Sequence, residues 1–181
     1  RACPGKTRQS MTGDAVTIAF CDETDFGFGW IASEPELLQR ASHALAVEGR
    51  VWLVDPVDGP GVEERVRALG EPAGVLQLID RHDRDCAELA GRRGAPLHRV
   101  PLGGVPGSPL EARKILDAPG WHEVALWWEA RSVLVCAEAL GTVPYFRGPD
   151  ETLGVHPFLR LYQPRGLRDM VKCLAPEHIL V

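Results

Sequence analysis

Apolar residues along the chain gather in short runs rather than in long amphipathic stretches. Thr17–Phe20 is a brief β-like run, and Phe26-Gly27-Phe28-Gly29-Trp30-Ile31 alternates rings with glycine, as in a strand lying close against another backbone. Glu36–Ala41 is polar apart from one apolar pair. Ala44–Val47 and Val51–Val54 flank Glu48-Gly49-Arg50 and predict a hairpin. Pro60-Gly61 opens a predicted helix with Val62, Val66 and Leu69 on one face, and Gly70 closes it. Gly74–Ile79 reads as a buried strand. The charged run Asp80–Asp85 follows, then a helix with Cys86, Leu89 and Ala90 inward, and then a strand over Ala95–Val100. Strands alternating with helices over short links imply parallel pairing and an α/β domain.

Beyond residue 100 the pattern is less regular. Residues 101–120 are rich in proline and glycine and predict a loop or irregular crossing. Glu123–Trp128 and Ser132–Ala137 predict a second hairpin around Glu129-Ala130-Arg131. Residues 141–166 are turn-rich, Leu167–Leu174 predicts a helix, and Ile179–Val181 begins a strand.

Composition sets the class. With 181 residues, 45% of them hydrophobic and 25% charged, the chain can bury a core as one domain. Residues 1–10 are polar and read as a leader, leaving 11–181 as a single domain with Met11 a candidate start. The net charge of −5 comes without a basic stripe, which argues against nucleic acid as partner. No apolar run approaches the roughly 18 residues of a membrane span, and no signal-peptide core is visible, so no membrane is expected and the cytoplasm is the expected location. The five cysteines include no Cys-x-x-Cys pair, and Cys136, inside Val133–Ala137, reads as buried. Free thiols fit a reducing compartment. Trp127 and Trp128 must face opposite sides of a strand, so one needs cover from a helix or from another chain, which raises a homodimer.

Candidate chemistry centres on the charged run after the buried strand, since ligands gather at the C-terminal ends of strands in α/β sheets. Asp80, His82 and Asp85 can reach such a site, and imidazole nitrogen and carboxylate oxygen both bind zinc. The same residues also suit a helix N-terminus, where Asp80 or Asp83 would cap and early acids would offset the dipole. Asp55 and Glu138 each end an apolar strand. Asp55 can orient ligands or accept loop amides. His122 reads as a solvated strand-start residue and His43 and His98 as structural, while His156 reaches a site only if its loop folds back. No catalytic triad, Walker loop or dinucleotide fingerprint is present.

Taken in order, these segments resemble the metallo-β-lactamase superfamily over about Trp30–Val181. Asp55 in Leu53-Val54-Asp55-Pro56 matches the acidic residue ending an early strand. Ile79–Cys86 falls at the T-H-x-H-x-D-H ligand loop, and His122–Trp128 resembles the strand after the next histidine motif. Ala137-Glu138-Ala139-Leu140-Gly141-Thr142 is similar to the G-D-x-L segment, and Pro176–Val181 to the approach to a terminal G-H-G. The resemblance implies an αββα sandwich of two mixed sheets with outer helices. It also implies where the ligand set departs. With His82 on the second histidine, the first becomes Asp80, the family's aspartate becomes Arg84 and its last histidine becomes Asp85. Ala118 or Trp121 stands at the next ligand place, Glu138 replaces the bridging aspartate, and the terminal histidine would lie past Val181. Arg84 brings a cation to the second-metal position. His82, Asp85 and Glu138 remain as metal-ligand candidates, with Asp55, Asp80, Arg84 and His122 as supporting residues.

Two functions follow from the resemblance. One is a binding or assembly module with a degenerate site, holding no cofactor at full occupancy and taking a small-molecule ligand or a second copy as partner. The other is a divergent hydrolase of an ester, amide or phosphoester using zinc or another divalent metal.

Overall fold

The structure, a computed structural model, describes residues 16–33, 39–162 and 166–181. Twelve strands and four α-helices form two main sheets and one small one among these residues. The larger sheet has the order β1 (Thr17–Thr24), β2 (Gly27–Ser33), β3 (Arg40–Val47), β4 (Arg50–Val54), β5 (Glu71–Gln77), β6 (Leu97–Arg99). Its first four strands pair antiparallel. β4, β5 and β6 pair parallel. Between them run α1 (Val62–Leu69) and α2 (Cys86–Arg93), which supply the parallel crossovers the pattern predicts. The first hairpin turns at Glu48 and Gly49, with φ of 52° and 77°. Positive φ at both central residues gives the tight turn whose twist matches its strands.

The second sheet has the order β12 (His178–Leu180), β9 (Val133–Val135), β8 (Trp121–Trp128), β7 (Glu111–Ala118). β7, β8 and β9 pair antiparallel, and β12 adds parallel to β9. β10 (Leu140–Gly141) and β11 (Gly154–Val155) form a separate short pair, followed by α3 (Pro157–Tyr162) and α4 (Gly166–Leu174).

Alternation along the strands builds three apolar layers. Trp52 and Val54 of β4 join Val124, Leu126 and Trp128 of β8 and Val133 and Val135 of β9 in a core between the sheets. Val51 and Leu53, on the other face of β4, pack with Val62 and Val66 of α1 and Cys86 and Ala90 of α2. Ala125, Trp127 and Leu134 pack with Leu159 of α3 and Leu167 of α4. Full burial of a large side chain here is worth roughly 1.5–3 kcal/mol.

Several expectations need correction. Residues 101–120 are not all loop, because Glu111–Ala118 forms the edge strand β7. Charged residues dominate it, as suits an exposed edge, so it lacks an apolar run. The turn-rich 141–166 segment contains the short helix α3. Residues 36–38 of the polar Glu36–Ala41 stretch lie outside the described residues, as does the 1–10 leader. Trp127 and Trp128 do face opposite layers, but both are 6% exposed within this one chain. The pair therefore no longer argues for a second copy. Among the described residues no helix is long and apolar enough to cross a membrane.

Candidate functional site

The site lies where the sheets meet. After β5 the chain crosses to the other sheet through an Ile79–Glu123 bridge, with Asp80 donating its amide to the His122 carbonyl at 3.0 Å and Val124 donating to Leu78 at 2.9 Å. The charged segment 80–85 thus leaves the C-terminal end of a central strand and enters α2. Asp55, just after β4, and Arg84 adopt left-handed backbones with φ of 43° and 40°. Side-chain-bearing residues adopt that region only under local constraint, and such strain concentrates at functional sites.

Asp55 is 3% exposed. One of its carboxylate oxygens accepts the Leu78 amide at 2.8 Å, and the other faces His82 Nδ1 at 2.9 Å. His82 Nε2 faces Glu138 at 3.0 Å. Arg81 donates Nε to the second Glu138 oxygen at 3.0 Å and also engages it through Nη2. The Arg81 guanidinium lies over the Trp121 ring, 4.3 Å from its centroid. Arg84 donates to the carbonyls of Ala41 and Asp55, and its Nη2 lies 3.3 Å from His82 Nε2.

Electrostatics favour the charged forms of His82 and Glu138. Burial opposes charge on His82, and the nearby Arg84 opposes it too, but hydrogen bonds to Asp55 and Glu138 outweigh them and raise its pKa. Burial likewise opposes charge on Glu138, yet His82 and Arg81 hold it at about 2. Both His82 ring nitrogens thus face carboxylates, and these contacts favour the charged form of the ring. The buried His43 is the reverse case: desolvation lowers it to about 4, so it is neutral.

Sequence reasoning grouped His82, Asp85 and Glu138, with Asp55, Asp80, Arg84 and His122 in support; of these the structure brings His82, Glu138, Asp55 and Arg84 into contact. Asp85 goes elsewhere: its carboxylate accepts the Asp58 amide at 2.7 Å. It stands at the N-cap of α2 without making a side-chain cap bond. Asp80 keeps one buried carboxylate oxygen without a hydrogen-bond partner, and His122 pairs with Asp117 at 2.6 Å on an exposed part of β8. The set His82, Asp85, Glu138 is thus not assembled. Among the described residues, no three His, Cys, Asp or Glu side chains converge as a metal would require. Both His82 nitrogens are already occupied by carboxylates, and Arg81 and Arg84 place cations nearby. As arranged, these residues do not fit a divalent metal.

Two further participants were not anticipated, and a third was anticipated only on condition that its loop folds back. Arg81 sat in the charged run but was not separated from it. Glu123 is fully buried, accepting the Trp121 indole N–H at 2.7 Å and the amides of Glu138 and Ala139 at 2.9 and 2.8 Å. Its signal was a carboxylate on the otherwise apolar Trp121–Ala125–Trp127 face. The third is His156, whose loop does fold back: its amide binds the Ala139 carbonyl at 3.0 Å, and its ring packs against Trp121, Tyr145 and Phe146. Arg81, Tyr145, Phe146 and His156 line a cavity of about 530 Å³ with His82, Arg84 and Glu138 also in its wall.

Two facing mixed sheets, with a polar site at the ends of their strands, define a metallo-β-lactamase-type fold. Among solved structures the chain is similar to the DIM-1 metallo-β-lactamase, at 10% identity over 92% of this chain and 89% of that one, with a TM-score of 0.64. It is also similar to the same enzyme exposed to ceftazidime (11% identity, 92% and 90% covered, TM-score 0.61). TMB-1 is a further neighbour (12% identity, 94% and 89% covered, TM-score 0.62). At such identities the likeness establishes the fold. No protein-family profile and no curated protein matches the sequence.

Proposed function

We propose that this protein is a metallo-β-lactamase-like αββα sandwich in which an ion-paired network replaces the metal centre, and that it works as a small-molecule binding module. One observation carries the reading: both ring nitrogens of His82 are held by carboxylates, Asp55 at 2.9 Å and Glu138 at 3.0 Å. A histidine ligand must present a free nitrogen, and catalytic zinc normally keeps three protein ligands. Arg84 supports the same reading, because its guanidinium stands beside His82 Nε2. The fold alone does not bring the activity of its neighbours.

Elemental analysis of protein purified without added zinc tests this, together with melting curves on zinc titration. The expected result is well under one transition metal per chain and no zinc-dependent rise in melting temperature. Stoichiometric zinc, with the rise that linkage then requires, would overturn the proposal in favour of a divergent metallo-hydrolase.

A further inference from the structure

We propose that the cavity binds an uncharged, fused-ring aromatic molecule, seated against the Tyr145–Phe146 rim. This rests on the metal-independent reading above and adds the class of ligand.

The ionic groups of the wall are spent on one another. Asp55 accepts the Leu78 amide with one oxygen and faces His82 with the other. Glu138 faces His82 and accepts from Arg81, whose guanidinium also lies over Trp121. Arg84 turns Nη1 to the carbonyls of Ala41 and Asp55 and Nη2 to His82, and its Nε is buried. Arg40 is engaged as well. The other two imidazoles of the wall have no charge to offer at neutral pH, because burial lowers His43 to about 4 and also lowers His156. A charged ligand would shed its hydration here without a free counter-ion to receive it, and such desolvation is costly. An uncharged ligand meets no such cost.

The wall does offer apolar and aromatic surface. Ile31, Val54, Leu140, Val143, Tyr145 and Phe146 line the cavity beside the ion-paired network. Sites of this kind draw affinity from apolar contact and leave orientation to a few polar groups. The rim already consists of rings packed on rings. Tyr145 meets Phe146 and His156 at centroid distances of 5.3 and 5.4 Å, and Phe146 meets His156 at 5.6 Å, all edge to face. Tyr145 nevertheless stays 55% exposed, so much of its ring is open to a further partner. Ring quadrupoles favour an aromatic partner, offset or edge-on, over a saturated one of the same size. At about 530 Å³ the space lies within the roughly 300–1,000 Å³ of small-molecule sites, well above the roughly 150 Å³ that accommodates benzene.

The test is isothermal titration at pH 7 in metal-stripped buffer with four probes of one shape: 2-naphthol, 2-naphthoate, 2-naphthylmethylammonium and the saturated decahydro-2-naphthol. The neutral 2-naphthol is expected to bind about tenfold or more tighter than either ion, with no loss of affinity as salt rises, and several-fold tighter than its saturated counterpart. Tyr145→Ala is expected to weaken 2-naphthol about tenfold while circular dichroism stays unchanged, since the side chain is largely exposed. Either ion binding as tightly as 2-naphthol, or no 2-naphthol binding at millimolar concentration, would overturn the inference. Equal binding of the saturated probe would overturn its aromatic part. A folded Tyr145→Ala protein with unaltered affinity would overturn the place given to the rim. The probe comparison uses wild-type protein and so stands even if the variant does not fold. Failure here leaves the zinc result intact, whereas zinc uptake in the separate titration removes the reading on which this one rests.

Discussion

His82 shows how one side chain divides the two functions that the sequence allows. Replacing it with alanine leaves Asp55 and Glu138 facing each other without the imidazole ring between them. Asp55 keeps the Leu78 amide and Glu138 keeps Arg81, so the expected loss is that of about one stranded group, roughly 1–3 kcal/mol. For a domain of this size, each kcal/mol lowers the melting temperature by about 2–4 °C, so His82→Ala is expected to melt several degrees lower with chelator present. The pH dependence has a fixed sign. A histidine whose folded pKa is raised from 6.5 gives its full stabilisation below 6.5 and loses it as pH rises through the folded value. The gap between wild type and His82→Ala should therefore narrow on the alkaline side. A variant that melts like wild type in chelator, but has lost a zinc-induced rise, would assign His82 to a metal. The candidacy of His82, Asp55 and Glu138 was legible because each follows an apolar strand. The direction of Asp85 was not, since it depends on where the Asp58 loop passes over α2.

Among the elements, β8 decides most about the site. Its Glu123 ties the strand to the start of the segment carrying Glu138, through the two amides at 138 and 139. Burial raises the Glu123 pKa to about 7, against the pull of Trp121 and the two amides. Because its folded pKa lies above the unfolded 4.5, its contribution is fully present below 4.5 and is lost as pH rises through about 7. Melting temperatures of wild type and Glu123→Gln, measured from pH 4.5 to 8, should show wild type losing ground to the variant up to about pH 7 and then levelling. A pH-independent difference would mean that Glu123 titrates normally. The β10–β11 pair positions the aromatic rim: a Cβ on Gly154 would lie 1.9 Å from the Phe146 carbonyl oxygen, so only glycine lets these backbones approach. Turn residues marked this segment as irregular, but nothing local in Gly154-Val155-His156 reports that the loop returns to the cavity.

For the whole molecule, the core between the sheets makes the two halves interdependent. Leu126 is fully buried there, between Val135 across the strand pair and the larger sheet opposite. Leu126→Ala is expected to cost about 2–5 kcal/mol, and roughly 4–20 °C in melting temperature. Far- and near-ultraviolet circular dichroism should lose signal together, because neither sheet keeps its inner face covered alone. Separate transitions would show that the sheets unfold independently. By itself the sequence determined the strands buried on both faces, the parallel β4–β5–β6 unit with its helices, both hairpins and the strand-end placement of His82 and Glu138. Periodicity and turn chemistry are local, and they survive in any context. Only the tertiary structure decided that β7 pairs as an edge, that Trp127 and Trp128 are both covered within the chain, and that His82 spends both nitrogens on carboxylates. Those outcomes depend on contacts between residues far apart in the chain, such as Asp55, His82 and Glu138, whose relative positions are set by how the two sheets pack.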